Sequence, residues 1–167
     1  MPSLEQQLKA ISKKLQEQIG DVLKNEVAEK IKDIEQETIQ EEVYDVYNIV
    51  DGNWQEPFMY ERRYDKKGGL QSRDSMKAEL SPDNTTLTIT NIAKGQDDSN
   101  LYIAPLVEYG DKVYGEYDYK KNRTNTAYQY LQPRPFTQRT VEKLRKSKEH
   151  VKILKQGLKS RGINVVE

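Results

Sequence analysis

Residues 75–92 read SMKAELSPDNTTLTITNI, and this stretch decides the fold. Leu87 and Ile89 alternate with Thr88 and Thr90, the two-residue period of a strand with one face covered. Ser81-Pro82-Asp83-Asn84 separates that run from Ser75–Leu80; proline presets a turn φ, and Asp and Asn side chains bond their own backbone. The pattern predicts an antiparallel hairpin of Ser75–Leu80 and Thr86–Ile92. Upstream, Phe58 to Tyr64 mixes aromatic and charged residues in rough alternation and predicts a first strand, with Gly68-Gly69 turning the chain after it. The expected fold class is α+β. A long N-terminal amphipathic helix and a C-terminal helix pack on a small antiparallel sheet of three to four strands, with strands and hairpin at 58–92.

The N-terminal helix, expected over 3–47, opens with Ser3 and Gln6 in capping-box spacing. Leu4, Leu8, Ile11, Leu15, Ile19, Val22, Leu23, Val27, Ile31 and Ile34 then recur at three- and four-residue steps, continuing through Ile39, Val43 and Val46. Gly20 costs about 1 kcal/mol relative to alanine in a helix, so it marks a bend or a close contact. The spacing fits a coiled-coil seam or the cover of a sheet. The cover is favoured, because heptad runs show a cleaner leucine or isoleucine series. Asp51-Gly52-Asn53 ends the helix.

Residues 93–100 predict a polar loop, and Leu101–Tyr109 a helical turn or a strand ended by Gly110. Pro133-Arg134-Pro135-Phe136 sets an extended entry to a final helix over 137–161, with Thr137 as N-cap. Val141, Leu144, Val151, Leu154 and Leu158 form its apolar face. Arg161-Gly162 closes it, and Ile163–Val166 are suited to an edge strand or a docking tail. The 167 residues amount to one domain, 1–167.

Charge and composition exclude several function classes. Lysine plus arginine (27) equals aspartate plus glutamate (27), so no global field draws the chain to nucleic acid or an anionic membrane. The balance hides an asymmetry: residues 3–47 carry six basic and eleven acidic side chains, residues 137–161 nine basic and two acidic. Such opposite faces suit packing within or between subunits. The absence of cysteine removes disulfides, thiolate nucleophiles and cysteine-bound zinc. No stretch approaches the ~20 apolar residues of a membrane span, and the N-terminus lacks the pattern of a signal peptide, so a protein made in the cytoplasm, without a membrane partner, is expected.

Candidates for chemistry are sparse. His150, the single histidine, stands among Lys146, Lys148 and Lys152 and reads as a solvated surface residue. Glu41-Glu42 and Asp97-Asp98 lack the companions of a metal or acid–base site and read as surface carboxylates. Gly68-Gly69 lacks a phosphate-loop pattern. No catalytic residue, cofactor or metal is expected. Arg62 and Arg63 on the predicted strand point to opposite faces, for a surface ion pair, a subunit contact or a nucleic-acid contact. Seven of the eleven tyrosines lie between Tyr102 and Tyr130, mostly in a long loop expected over 110–132. Tyr114, Tyr117, Tyr119, Tyr128 and Tyr130 are candidate subunit or partner contacts, because tyrosine supplies contact area at low entropic cost. Lys112, Lys120, Lys121 and Arg123 offer a competing single-stranded nucleic-acid reading, diluted by Glu108, Asp111, Glu116 and Asp118.

Laid end to end, several short motifs form an ordered series: Tyr60-Glu61-Arg62-Arg63, Gly68-Gly69-Leu70, the hairpin ending in Thr90-Asn91, Val107-Glu108-Tyr109-Gly110, and Arg134-Pro135-Phe136 before the last helix. Over nearly the whole chain this order resembles the head-tail joining and tail-completion proteins of long-tailed bacteriophages. The resemblance implies a structural virion protein, without catalytic residues. Identical subunits would form a homo-oligomeric ring at the neck or top of the tail, between head-connector and tail-tube or tail-terminator proteins. DNA would pass through the lumen without sequence-specific binding. Arg134 and Phe136 join the candidate contacts, the Arg-Pro-Phe step directing the last helix onto the sheet. Tail terminator and head-closure ring are alternatives of the same class; a nucleic-acid-binding regulator or packaging factor is the alternative outside it.

Overall fold

A computed structural model describes residues 3–46, 65–95, 102–110 and 133–165. The expected strand Phe58–Tyr64 lies outside them, as do Arg62, Arg63, Tyr114, Tyr117, Tyr119, Tyr128, Tyr130 and the Asp97-Asp98 pair. Within them the protein mixes helix and sheet: a long N-terminal helical stretch, one two-stranded antiparallel sheet, a short middle helix and C-terminal helices.

Helix α1 (Leu4–Val22) starts at the expected capping box: Ser3 Oγ accepts from Gln6 N at 3.2 Å, while Gln6 Oε1 accepts from Ser3 N at 2.9 Å. The helix does not run on uniformly. A π-helical turn at Leu23–Val27 leads into α2 (Ala28–Ile39), and a second at Gln40–Tyr44 ends the stretch. Each wide turn shifts the phase of the face that follows, and Ile34, Glu35, Thr38 and Ile39 of α2 lie buried, followed by Val43 in the second wide turn.

The hairpin forms as the sequence implies, with its ends moved by one residue. A 3₁₀ turn (Arg73–Ser75) precedes β1 (Met76–Leu80), which pairs with β2 (Leu87–Asn91). At the turn Ser81 N donates to Thr86 O and Thr86 N to Ser81 Oγ, both at 2.9 Å. Asn84 takes the left-handed conformation at φ 58°, which Asn tolerates better than most residues. The Asp83 carboxylate accepts from Ser81 Oγ and from Thr85, and these bonds hold it below its ordinary range. The Gly-Gly turn forms too, with Gly69 N donating to Lys66 O at 2.8 Å and Gly68 at φ 76°.

Leu101–Tyr109 resolves toward helix: α3 spans Ile103–Tyr109, and Gly110 leaves it at φ 61°. The C-terminal helix is broken. Helices α4 (Phe136–Ser147) and α5 (Glu149–Ser160) meet at Lys148, whose φ of 54° is left-handed. Lys148 N donates to Leu144 O, closing α4, while Lys148 O accepts from Lys152 N. The break re-phases the expected apolar face, so Ile153, Leu154 and Leu158 turn inward while Val151 stays exposed. Gly162 (φ 79°) then closes α5 in a Schellman motif: Ile163 N donates to Leu158 O and Gly162 N to Lys159 O, each at 3.0 Å. Ile163 belongs to that motif, not to an edge strand.

The chain divides into two compact units, one of Met1–Asp33, Ala78–Thr90 and Leu144–Glu167, the other of Ile34–Lys77 and Asn91–Lys143. In the first, Val22, Leu23, Val27 and Leu158 form an apolar cluster, against which Leu80 and Leu87 of the hairpin and Ile153 and Leu154 of α5 pack. The helix therefore covers strand residues, as the spacing implied, and packs on a second helix as well. Gly20 is the expected close contact, since a Cβ there would stand 2.7 Å from Asn84 Cβ. Gly157 is a closer one: its Cβ would come within 2.5 Å of Val22 Cγ1.

Part of the charge asymmetry is met inside the units, where Arg139, Lys143 and Arg161 pair with acidic residues of the N-terminal stretch. In the first, Arg161 pairs with Glu26 and Asp21, and Lys30 with Glu149 at 2.7 Å. In the second, Lys143 pairs with Glu41 at 2.7 Å, and Arg139 reaches Glu42 and Glu142. His150 is not a solvated residue: it is half-buried, and its Nδ1 is shielded without a hydrogen-bond partner among the described residues.

Candidate functional site: a buried hub joining the short motifs

The second unit brings the separated motifs together. Asn91, the last residue of β2, donates through Nδ2 to Leu70 O at 2.8 Å and to Glu35 Oε1 at 3.1 Å, while its Oδ1 accepts from Ala93 N at 3.1 Å. One side chain thus ties the hairpin to the Gly-Gly-Leu turn and to α2. Beside it, Gln36 and Gln71 exchange bonds: Gln36 Nε2 donates to Gln71 O at 2.7 Å, and Gln71 Nε2 to Gln36 O at 2.8 Å. The first satisfies a carbonyl of the turn in a part-buried setting, and the second fastens the turn to a carbonyl of α2.

The Val-Glu-Tyr-Gly and Arg-Pro-Phe motifs also meet. Arg134 N donates to Val107 O at 2.9 Å, and the Glu108 carboxylate accepts from Thr137 N at 2.9 Å and Gln138 N at 3.3 Å. The helix therefore starts one residue earlier than expected, and Thr137 is not its N-cap. Arg139 N donates to Pro135 O, which places Pro135 at the cap position. Proline has no side-chain acceptor, so the first N–H groups of α4 are capped from α3 by a carboxylate, the group that a helix N-terminus favours. Glu108 thus caps a helix and does not dilute the charge of a solvent loop.

Phe136 is 1% exposed and is among the largest fully buried side chains. It is a packing residue, not a partner contact on a free surface. Thr140 Oγ1 donates back to Phe136 O at 2.8 Å. Arg134 is part-buried, and burial pulls its guanidinium down to about 10, which leaves it charged at neutral pH. These bonds join Val107–Glu108 directly to Arg134–Gln138.

Glu35 is the residue that sequence reasoning missed. It is 8% exposed, and burial raises its carboxyl above the ordinary 4.5, opposed by the Asn91 hydrogen bond and reinforced by Glu108. Its position five residues before the second π turn gave no signal in a run otherwise rich in exposed glutamates. The hub binds backbone and positions chain segments. Among the described residues no group of three or more His, Cys, Asp or Glu could hold a metal ion, and no helix is long and apolar enough to cross a membrane.

These features define a mixed helix-and-sheet protein. The YomN family model matches residues 7–160, and the chain belongs to the YomN family, a phage-derived family from a Bacillus prophage. Neither a curated protein nor a solved structure matches the chain.

Proposed function

We propose that the protein is a structural virion subunit of a phage, a head-tail connector or tail-completion component that forms a ring at the neck or top of the tail. The supporting observation is that hydrogen bonds within the second unit tie Asn91 to Leu70 and Glu35, and Val107 and Glu108 to the Arg134-Pro135-Phe136 step and the start of α4. Leu70, Asn91, Glu108 and Arg134-Pro135-Phe136 carry the resemblance to the tail-completion proteins, and their bonds, with Leu70, Glu108 and Phe136 buried, make them a scaffold for presented segments. On this reading the hub holds the base of residues 111–132 while their tyrosines contact neighbouring subunits. The phage-derived family fits a virion role.

The test is immunogold labelling of purified particles with an antibody to this chain, together with the mass of the free protein. Label as a ring at the head–tail junction is the expected result. Absence from particles, with DNA binding that weakens steeply as salt rises, overturns the reading and assigns the exposed lysines of α4 and α5, such as Lys146, Lys152 and Lys159, to a regulator or packaging factor.

A further inference from the structure

The outer side of α5 carries a cationic face that the first unit does not neutralise. Residues 144–165 hold seven basic side chains and one acidic, Glu149. That single carboxylate is bonded to Lys30 at 2.7 Å, so it is already matched although it also lies beside Lys152. Arg161 is likewise paired, with Asp21 and Glu26. Arg145, Lys146, Lys148, Lys152 and Lys159 are exposed, and none of them makes an ion pair among the described residues. Lys152, Lys155 and Lys159 follow one another at steps of three and four, which sets them on one side of the helix. Lys148 stands ahead of them at the break. At the far end Lys155 and Lys159 line a cleft of about 260 Å³ with Gln156, Asn164 and Val165. Its lining offers ammonium and amide N–H donors and no carboxylate.

We propose that this face holds the phosphate backbone of duplex DNA without reading its sequence: Lys148 and Lys152 meet phosphates along one strand, and the cleft seats another between Lys155 and Lys159. Phosphate contacts of this kind fix position and carry no sequence information. The stretch from Lys148 to Lys159 rises about 16 Å, and a duplex strand presents a phosphate about every 3.4 Å of its axis. Four cations therefore find phosphates within reach.

The chemistry of the face selects this occupant. Lysine is a compact, flexible charge suited to phosphate oxygens, whereas protein interfaces are depleted in it. A single strand needs aromatic platforms for its bases, and residues 144–165 contain no Phe, Tyr or Trp. A lipid surface needs bulky apolar anchors beside the lysines; the exposed large apolar residues of this stretch are Val151 and Val165. A second copy offers little complementary acid, since Glu5, Glu17, Asp21, Glu26 and Glu29 are engaged by basic residues of their own chain. Zero net charge does not oppose the contact. At physiological salt, fields beyond about 8 Å are screened, so the local face decides. The inference does not rest on the ring reading: particle labelling tests that one and DNA titration tests this one, so either can fail alone.

The test is fluorescence anisotropy of a short labelled duplex of arbitrary sequence, titrated with the full chain from low to physiological salt. Binding is expected with a Kd in the micromolar range or weaker, and log K is expected to fall against log salt with a slope of about −3 to −4. Lys152→Gln with Lys159→Gln is expected to weaken binding more than about tenfold and to flatten the slope by about 2, equally for duplexes of unrelated sequence. Circular dichroism is expected to stay unchanged, because both side chains are exposed. Lys9→Gln with Lys13→Gln, on α1, is expected to leave binding as it is. Absence of binding at every salt concentration, a slope near zero, or binding that survives Lys152→Gln with Lys159→Gln overturns the proposal. So does tighter binding to a single strand of the same length, or sedimentation with phosphatidylglycerol vesicles in place of duplex binding, which would give the face to a lipid surface.

Discussion

In the first unit the buried side chains are Val22, Leu23, Val27, Ala28 and Leu158, and the charges stand around them as partly exposed ion pairs. In the second, Glu35, Thr38, Ser72, Ser75, Glu108 and Thr140 are buried beside Ile39, Met76 and Phe136. Both units are assembled from parts of the same helices and the same hairpin, yet the first buries only apolar side chains among those described, while the second adds buried polar groups with matched donors and acceptors to its own apolar core. An apolar seam tolerates many sequences of the right volume. A buried polar hub tolerates few, since each lost partner strands a group away from water. The second unit is therefore where the chain fixes one particular arrangement, and it is also where the short motifs are spent.

Truncating the largest buried anchor breaks the second unit most severely. Phe136→Ala is expected to cost about 3–5 kcal/mol in urea unfolding, with hydrogen exchange accelerating first at α3 and α4. A loss under about 1 kcal/mol would show that the aromatic ring is not a core element. Next comes Glu108→Ala, which leaves the N–H groups of Thr137 and Gln138 without their acceptor. A loss of about 2–3 kcal/mol is expected, with Glu108→Gln recovering part of it.

The first unit is tested at its closest approach. Gly157→Ala drives a methyl into Val22, and overpacking of about 1–3 kcal/mol outweighs the roughly 1 kcal/mol that alanine gains in a helix. A shortened α5 seam with unchanged stability would refute that geometry. The polar unit differs again in its response to pH. The Glu35 carboxyl is raised from its ordinary 4.5, so the folded state holds the proton more tightly than the unfolded chain. Its favourable contribution is complete below about 4.5 and is lost as pH rises through the folded value. Glu35→Gln is therefore expected to gain on the wild type as pH rises above that point, in parallel denaturation series; a constant difference would remove the titration of Glu35 from the account. The smallest effect belongs to the helix break. Lys148→Gly relieves a left-handed residue and is expected to stabilise by about 1 kcal/mol, read as a rise in melting temperature.

Much of the fold was legible in the residues. Ser3 and Gln6 gave the start of α1, Ser81-Pro82-Asp83-Asn84 gave the hairpin turn, and Gly110 and Gly162 gave two helix ends, because each depends on a few neighbours along the chain. Gly20 was readable as an anomaly, but which residue filled the space, Asn84, was not. In the site, Phe136 and Arg134 were visible as motif members, but their roles shifted from contact to burial. Glu108 and Glu35 could not be told from their exposed counterparts, since a carboxylate's setting is made by groups distant in sequence.

The sequence by itself determined the helices' amphipathic faces, the hairpin and its turn, and the charge split between the two ends of the chain, all products of local sterics and periodicity. Only the tertiary structure decided the wide turns of the N-terminal stretch and the break at Lys148, which acidic and basic residues pair, and the bonds that tie Asn91 to Leu70 and Glu108 to the start of α4. Those outcomes depend on which segments compete for the same buried space and the same backbone donors, and that competition is settled only when the whole chain packs.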